Sequence, residues 1–233
     1  MGLIKNILSL PKTIYFNFKV FPVREAIKMP VFLHYNVKIG SLPKGCIEVV
    51  DTTLRPGMIK FGCSMGSAGV FAGEYPMNSG GGFISVKPGC KVVFRGQAVF
   101  AGGISLRLDN GGIADFGRNF GCNSYCFIAA NSLIKFGEGC VIGWNVNIRD
   151  VDGHHIYKLN DKERRFINEP RPVYIGDHVW IAAHVDIMKG TSIPDNSVIA
   201  YGSLLAGKKF EKGNCILGGN PIKVLKEDID WTF

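Results

Sequence analysis

Two adjacent histidines, His154 and His155, lie in a strongly polar stretch that also carries Arg149, Asp150, Asp152, Lys158, Asp161, Lys162, Glu163, Arg164 and Arg165. An imidazole changes charge near neutral pH, so a histidine placed there can take a proton from a reacting hydroxyl and pass it to a leaving group. Asp152, two residues before His154, is of the type that holds an imidazole in one tautomer and stabilises its protonated form. The plain alternative is a pair of solvated loop histidines. His178 and His184 stand six apart, which suits corners of a repeat, and His34 suits a structural role. The seven cysteines are odd in number, form no C-x-x-C and are scattered among apolar residues. That pattern predicts reduced, mostly buried thiols.

The polar stretch interrupts a periodic chain. From Val173 onward, Ile175, Ile181, Ile187, Ile193, Ile199 and Leu205 follow one another at intervals of six. A period of six fits neither a long strand nor a helix. It fits a solenoid of short faces joined by tight corners. With three faces to a coil, residues eighteen apart stack: Ile175 with Ile193, Ile181 with Ile199, and Ile187 with Leu205. Successive coils then pair as parallel strands about 4.8 Å apart. Small residues follow several of these positions (Gly176, Ala182, Ala200, Ala206), as corners require. Phe136, Ile142 and Ile148 keep the period upstream; Phe116, Cys122, Ile128 and Ile134 keep it in a phase shifted by two, and Phe94, Phe100 and Leu106 form an earlier coil. Between Ile148 and Ile175 lie 27 positions where six would continue the coil. Residues 149–172 are therefore predicted to be an external loop, and the paired histidines sit in it.

Composition agrees with a folded, turn-rich chain. Of 233 residues 46% are apolar and 20% charged, enough for a sizeable core, and the 30 glycines follow no collagen period. There is no run of eighteen apolar residues, and the first thirty residues lack the features of a secretory leader. The net charge of +8 suits anionic partners: a nucleotide-bearing cofactor, a phosphorylated sugar or an acidic membrane. No dense basic stripe or aromatic RNP motif points to nucleic acid. Residues 1–40 are predicted to form a helical or irregular cap broken by prolines, 41–218 the solenoid with its external loop 149–172, and 219–233 a short closing helix and tail. Lys5, Lys12, Lys19, Arg24 and Lys28 lie among apolar residues of the cap, which leaves two roles open: packing on the first coil, or docking on anionic lipid.

The pattern of an aliphatic residue, a small residue and four more resembles the hexapeptide-repeat proteins over about residues 90–224. That resemblance implies an all-β fold, a left-handed parallel β-helix. Three motifs narrow it. Arg149-Asp150-Val151-Asp152-Gly153-His154-His155-Ile156-Tyr157 resembles the D-x-H loop of bacterial sugar and polysaccharide O-acetyltransferases of this family. Ile175-Gly176-Asp177-His178-Val179-Trp180-Ile181 is similar to their I-G-D-x-V-W-I coil, and Gly219-Asn220-Pro221-Ile222-Lys223 to their G-N-P-A-K closing motif. The resemblance implies acetyl-CoA as co-substrate, no metal, and direct attack of a sugar hydroxyl with His154 as base and Asp152 behind it. His155 is the rival for the base and otherwise lies beside the acceptor. It also implies cofactor contacts at Trp180, Ala183, Tyr201 and Ala206, with Lys223 and Lys226 facing the phosphates or adenine of CoA. Trp180 is equally suited to be a packed core aromatic. Asn123 resembles an acceptor-binding asparagine. A cytoplasmic homotrimer with sites between subunits is implied, with peripheral contact at the inner face of the membrane as an option. Two departures stand out: Tyr201 replaces a usually small residue, and Ala206 a common threonine. Two other readings remain open: a metal-dependent hydratase like the γ-class carbonic anhydrases, and a non-catalytic scaffold that binds no acetyl-CoA.

Overall fold

The computed structural model describes residues 2–63 and 81–232; the side chains of Leu3 and Lys5 also lie outside the described residues, as does 64–80 of the predicted solenoid. The hexad spacing yields very short strands, whose inward residues alternate with exposed ones. Among the described residues nine, seven and six of these strands line up as three sheets, here faces A, B and C, which the chain visits in that order. Every pairing between successive coils is parallel, and the coil is a left-handed β-helix. The stacking expected from the period is present: Ile175 pairs with Ile193, Ile181 with Ile199, and Ile187 with Leu205.

The early, shifted phase has a local cause. Ile187 and Ile193, and Ile142 and Ile148, keep the six-residue step, but Leu106 to Phe116 takes ten positions and Ile128 to Phe136 eight. From Phe94 onward the extra residues fall at the corner between faces B and C. The loop that separates Ile148 from Ile175 leaves from that same corner. From Phe94 onward only this corner departs from the six-residue step; in the first coils Val49 to Phe61 takes twelve positions between faces C and A, and Phe61 to Ile84 takes 23 between faces A and B.

Buried phenylalanines fill the lower coils. Phe94, Phe116 and Phe136 stack along the axis with ring centroids 5.2 and 5.3 Å apart, close to the strand spacing itself. Coils this close leave no room for a Cβ at some corners. One built at Gly137 would stand 2.2 Å from Asp177 Oδ1, which accepts the Glu138 amide at 2.8 Å.

Both ends of the coil depart from expectation. The solenoid starts before residue 41: strands Val31–Leu33 and Val37–Ile39 already pair with Ile59–Phe61 and Gly82–Val86. The cap is not a set of short helices broken at Pro11 but one helix, α1 (Gly2–Val20), with Pro11 inside it, followed by α2 (Val23–Ala26). A proline removes one helical hydrogen bond. The turns after it are held instead by the first strand of face A. Asn17 donates to the Val31 carbonyl (2.7 Å) and accepts its N–H (3.1 Å), Thr13 does both with Leu33, and Ser9 accepts the Tyr35 N–H. Four helical residues rise about 6 Å and two strand residues nearly the same, so side chains at 9, 13 and 17 reach alternate positions of the open edge. At the other end the predicted closing helix is a strand: Lys223–Lys226 runs antiparallel to Ile216–Gly218. Gly219–Pro221 reverses the chain beside an unpaired sheet edge, and pairing there outweighs the weak helical tendency of a short segment containing Ile222 and Val224. Among the described residues no helix is long and apolar enough to cross a membrane.

Candidate active site

The external loop begins where strand Asn147–Arg149 ends on face B and returns at Val173–Ile175 on face C. Its first residue, Asp150, is buried and accepts the amides of Asn131 and Ser132, both at 2.7 Å, from the same corner one coil below. Burial lifts its carboxyl above the usual range, against the pull of those amides. The chain then folds on itself: Tyr157 and Phe166 form an antiparallel bridge, and Ile167 N–H donates to Ile156 O at 2.7 Å.

Within this hairpin the two histidines have different company. His155 stacks on Phe166 with centroids 4.3 Å apart and planes 10° from parallel. The His154 imidazole is exposed and makes no hydrogen bond or ring contact among the described residues; its main chain is what is held. Asn168 Nδ2 donates to the His154 carbonyl (2.7 Å) and to Asp152 Oδ2 (3.0 Å), and Asn168 Oδ1 accepts the Ile156 N–H (2.7 Å). Lys189, from the corner above, donates to Asp152 Oδ2 at 2.5 Å and to the Asn168 carbonyl at 2.9 Å. The lysine hydrogen bond holds the Asp152 carboxyl below the usual carboxylate range. This corrects the expected Asp152–His154 pairing. The carboxylate is engaged by Lys189 and Asn168, and it supports His154 through the backbone rather than through the ring.

The other candidate residues lie elsewhere on the triangular cross-section. Asn123, Ala183 and Tyr201 share the corner between faces A and B, where the strands carrying Cys122, Ile181 and Ile199 end in one column. Asn123 Oδ1 accepts the Ser124 amide, Ala183 is buried, and Tyr201 is 65% exposed beside the His184 ring. Trp180 on face A is 42% exposed, 6.1 Å from Trp231, which rules out the core-aromatic reading. Ala206 is exposed on face B in register with Met188, and Lys223 and Lys226 are exposed on the closing strand of face A. One chain therefore carries the histidine loop and the Asn123–Tyr201 corner at opposite ends of face B. His178 and His184 are corner residues, as their spacing indicated, with φ of 51° and 58°.

The thiols offer no ready nucleophile near the loop. Burial pushes Cys46 and Cys63 up to about 11 and Cys140 to about 12. Among the described residues no three His, Cys, Asp or Glu side chains gather as a metal site. Among the described residues two buried polar atoms stand without a partner, Asn147 Oδ1 and Arg149 Nε, both at the root of the loop on face B. The clasp residues Asn168 and Lys189 were not found by sequence reasoning. They lie 14 and 37 positions from the groups they hold, and no spacing rule connects them.

No protein-family model matches the chain. Over 111 residues it is 34% identical to the galactoside O-acetyltransferase of Escherichia coli (strain K12), covering 48% of this chain and 52% of that one. Over 99 residues it is 38% identical to the polysialic acid O-acetyltransferase of Escherichia coli O1:K1 / APEC, covering 42% and 31%. The chain thus spans about half, and about a third, of the length of these two relatives. Among solved structures, the polySia specific acetyltransferase NeuO superposes with a TM-score of 0.51 at 22% identity, over 85% of this chain and 89% of that one, a likeness of fold. The putative lipopolysaccharide biosynthesis O-acetyl transferase WbbJ of Escherichia coli (strain K12) is 30% identical over 138 residues, covering 55% of this chain and 68% of WbbJ. With that much of a relative aligned on the same kind of coil, the chain belongs to the hexapeptide-repeat acyltransferases, in their sugar and polysaccharide O-acetyltransferase branch.

Proposed function

We propose that this protein moves an acetyl group from acetyl-CoA to a hydroxyl of a sugar or polysaccharide unit, with His154 as general base. The observation that carries the reading is the His154 imidazole, exposed and unpartnered on a backbone clamped by Asn168, Asp152 and Lys189. A ring with no competing partner on a fixed main chain is what proton transfer at a set position needs. The acceptor oxygen attacks the thioester carbon as its proton passes to the imidazole. The carbon–sulfur bond then breaks, and the thiolate leaves with the proton returned from the imidazolium. His155, stacked on Phe166, serves as a wall of the acceptor side rather than as the base. Trp180, Ala183, Tyr201 and Ala206 are assigned to the pantetheine arm, Lys223 and Lys226 to the phosphates, and Asn123 to the acceptor. Outward Trp180 and Tyr201 and two exposed lysines are compatible with a long amide-rich ligand ending in phosphate.

The same reading includes a homotrimer. A base at one end of face B and a cofactor groove at the other can meet when that face's two ends come from neighbouring protomers, a heterologous contact that closes into a ring. Dependence on acetyl-CoA places the activity in the cytoplasm. The test is thiol release from acetyl-CoA against a panel of sugars and nucleotide sugars. His154→Ala is predicted to lower turnover at least about a hundredfold with little change in acetyl-CoA affinity. Near-normal turnover in that variant discards the assignment.

A further inference from the structure

Helix α1 has two uncharged faces, and the solenoid covers one. Ser9, Thr13, Phe16, Asn17 and Val20 are buried against the first coil. Ile4, Ile7, Leu8, Ile14, Tyr15 and Phe18 are exposed, from 66% at Ile4 to 41% at Phe18. At 100° per residue these six fall in one arc, opposite the buried one. Val23 and Ile27 continue the apolar surface past the helix end. Lys12 and Lys19, seven positions apart, lie on the border between the two arcs, and Arg24 and Lys28 are exposed just beyond. No acidic residue precedes Glu25 in the chain.

We infer that this face rests on a membrane surface rich in anionic lipid. The apolar side chains enter the headgroup–acyl boundary, and Lys19, Arg24 and Lys28 meet lipid phosphates. Charge decides against a second copy as occupant. A symmetric pairing would bring these cations together with no carboxylate from residues 1–24 to answer them. The helix lies on the membrane rather than across it, since its inner face is too polar to span. The buried arc is bonded to the first strand of face A, so the exposed arc points along the coil axis, away from the repeats. The histidine loop leaves the fifth strand of face B, four coil spacings or about 19 Å from the capped end.

This docking is independent of the transferase reading, and its test uses no acetyl transfer. The full chain is floated with phosphatidylcholine vesicles, with and without about 30% phosphatidylglycerol, in low and in high salt. Flotation with the anionic vesicles in low salt, and its loss with phosphatidylcholine alone, is expected. Ile7→Glu/Ile14→Glu should cut vesicle binding at least about tenfold with its circular dichroism and thermal midpoint unchanged. Lys19→Glu/Arg24→Glu, which leaves the apolar arc intact, should weaken binding to anionic vesicles specifically. Wild-type protein that stays with the unbound fraction overturns the inference, as does flotation of both variants equal to that of the wild type. Loss of oligomer mass in Ile7→Glu/Ile14→Glu without any wild-type flotation also overturns it, and assigns the face to a second copy.

Discussion

Lys189 stands 35 positions from His154, yet it closes the clasp on which the candidate base depends. Its ammonium fixes the Asp152 carboxylate and the Asn168 carbonyl, and Asn168 fixes the His154 main chain. Lys189→Met is predicted to lower kcat about tenfold or more with the KM for acetyl-CoA nearly unchanged, because it shifts the base without touching the donor groove. Lys189→Arg should recover part of that loss. An unchanged kcat in Lys189→Met removes the positioning role. The pH dependence has a definite sign. The Asp152 carboxyl is depressed in the folded protein, so its contribution is present above the ordinary carboxylate range and is lost as pH falls through the folded value. Hydrogen exchange of the Ile156 amide, which Asn168 accepts, corrected for intrinsic rate, should rise as pH falls below about 4. In Lys189→Met exchange should already be raised at pH 7, with the acid step reduced. Of this cluster, the histidines and Asp152 were legible as residue types in a polar loop. Their partners were not, because they come from another turn of the coil.

At the scale of elements, stability depends on columns rather than on any single strand, since most strands are only two to four residues long. Phe116 is fully buried between Phe94 and Phe136, and it also meets Phe100 edge-on at 5.1 Å. Phe116→Ala is predicted to cost about 3–5 kcal/mol in denaturant unfolding, because the rigid coils above and below cannot collapse into the space. A cost below about 1 kcal/mol would show the column to be loosely packed. The period identified these inward positions, and the phase shift at Phe136 was visible without its cause. The closing strand and the unbroken α1 were misread for a common reason. Each is held by an open sheet edge, Ile216–Gly218 in one case and Val31–Leu33 in the other. Local propensity does not register an edge that exists only once the coil is wound.

For the whole molecule, the separation of the histidine loop from the Asn123–Tyr201 corner has a consequence that can be measured. If sites form between protomers, light scattering should give three times the chain mass. Protomers carrying His154→Ala and protomers carrying Ala206→Trp, each inactive alone, should then regain activity when assembled together. Random mixing should restore about a quarter of wild-type activity, since each mixed ring holds one interface with both native residues. A mixture as inactive as its parents would place base and donor on the same chain.

The sequence by itself determined the coil, its stacking register in the last turns, the place where the winding is interrupted and the residue types exposed there. All four are properties of spacing, repeated locally every six positions, and a repeat of that kind has one economical way to bury its aliphatic residues. Tertiary structure alone decided which histidine keeps a free ring, what Asp152 holds and how both sheet edges are covered. Those outcomes depend on groups brought together from distant turns, where contact follows from the winding and leaves no trace in local spacing.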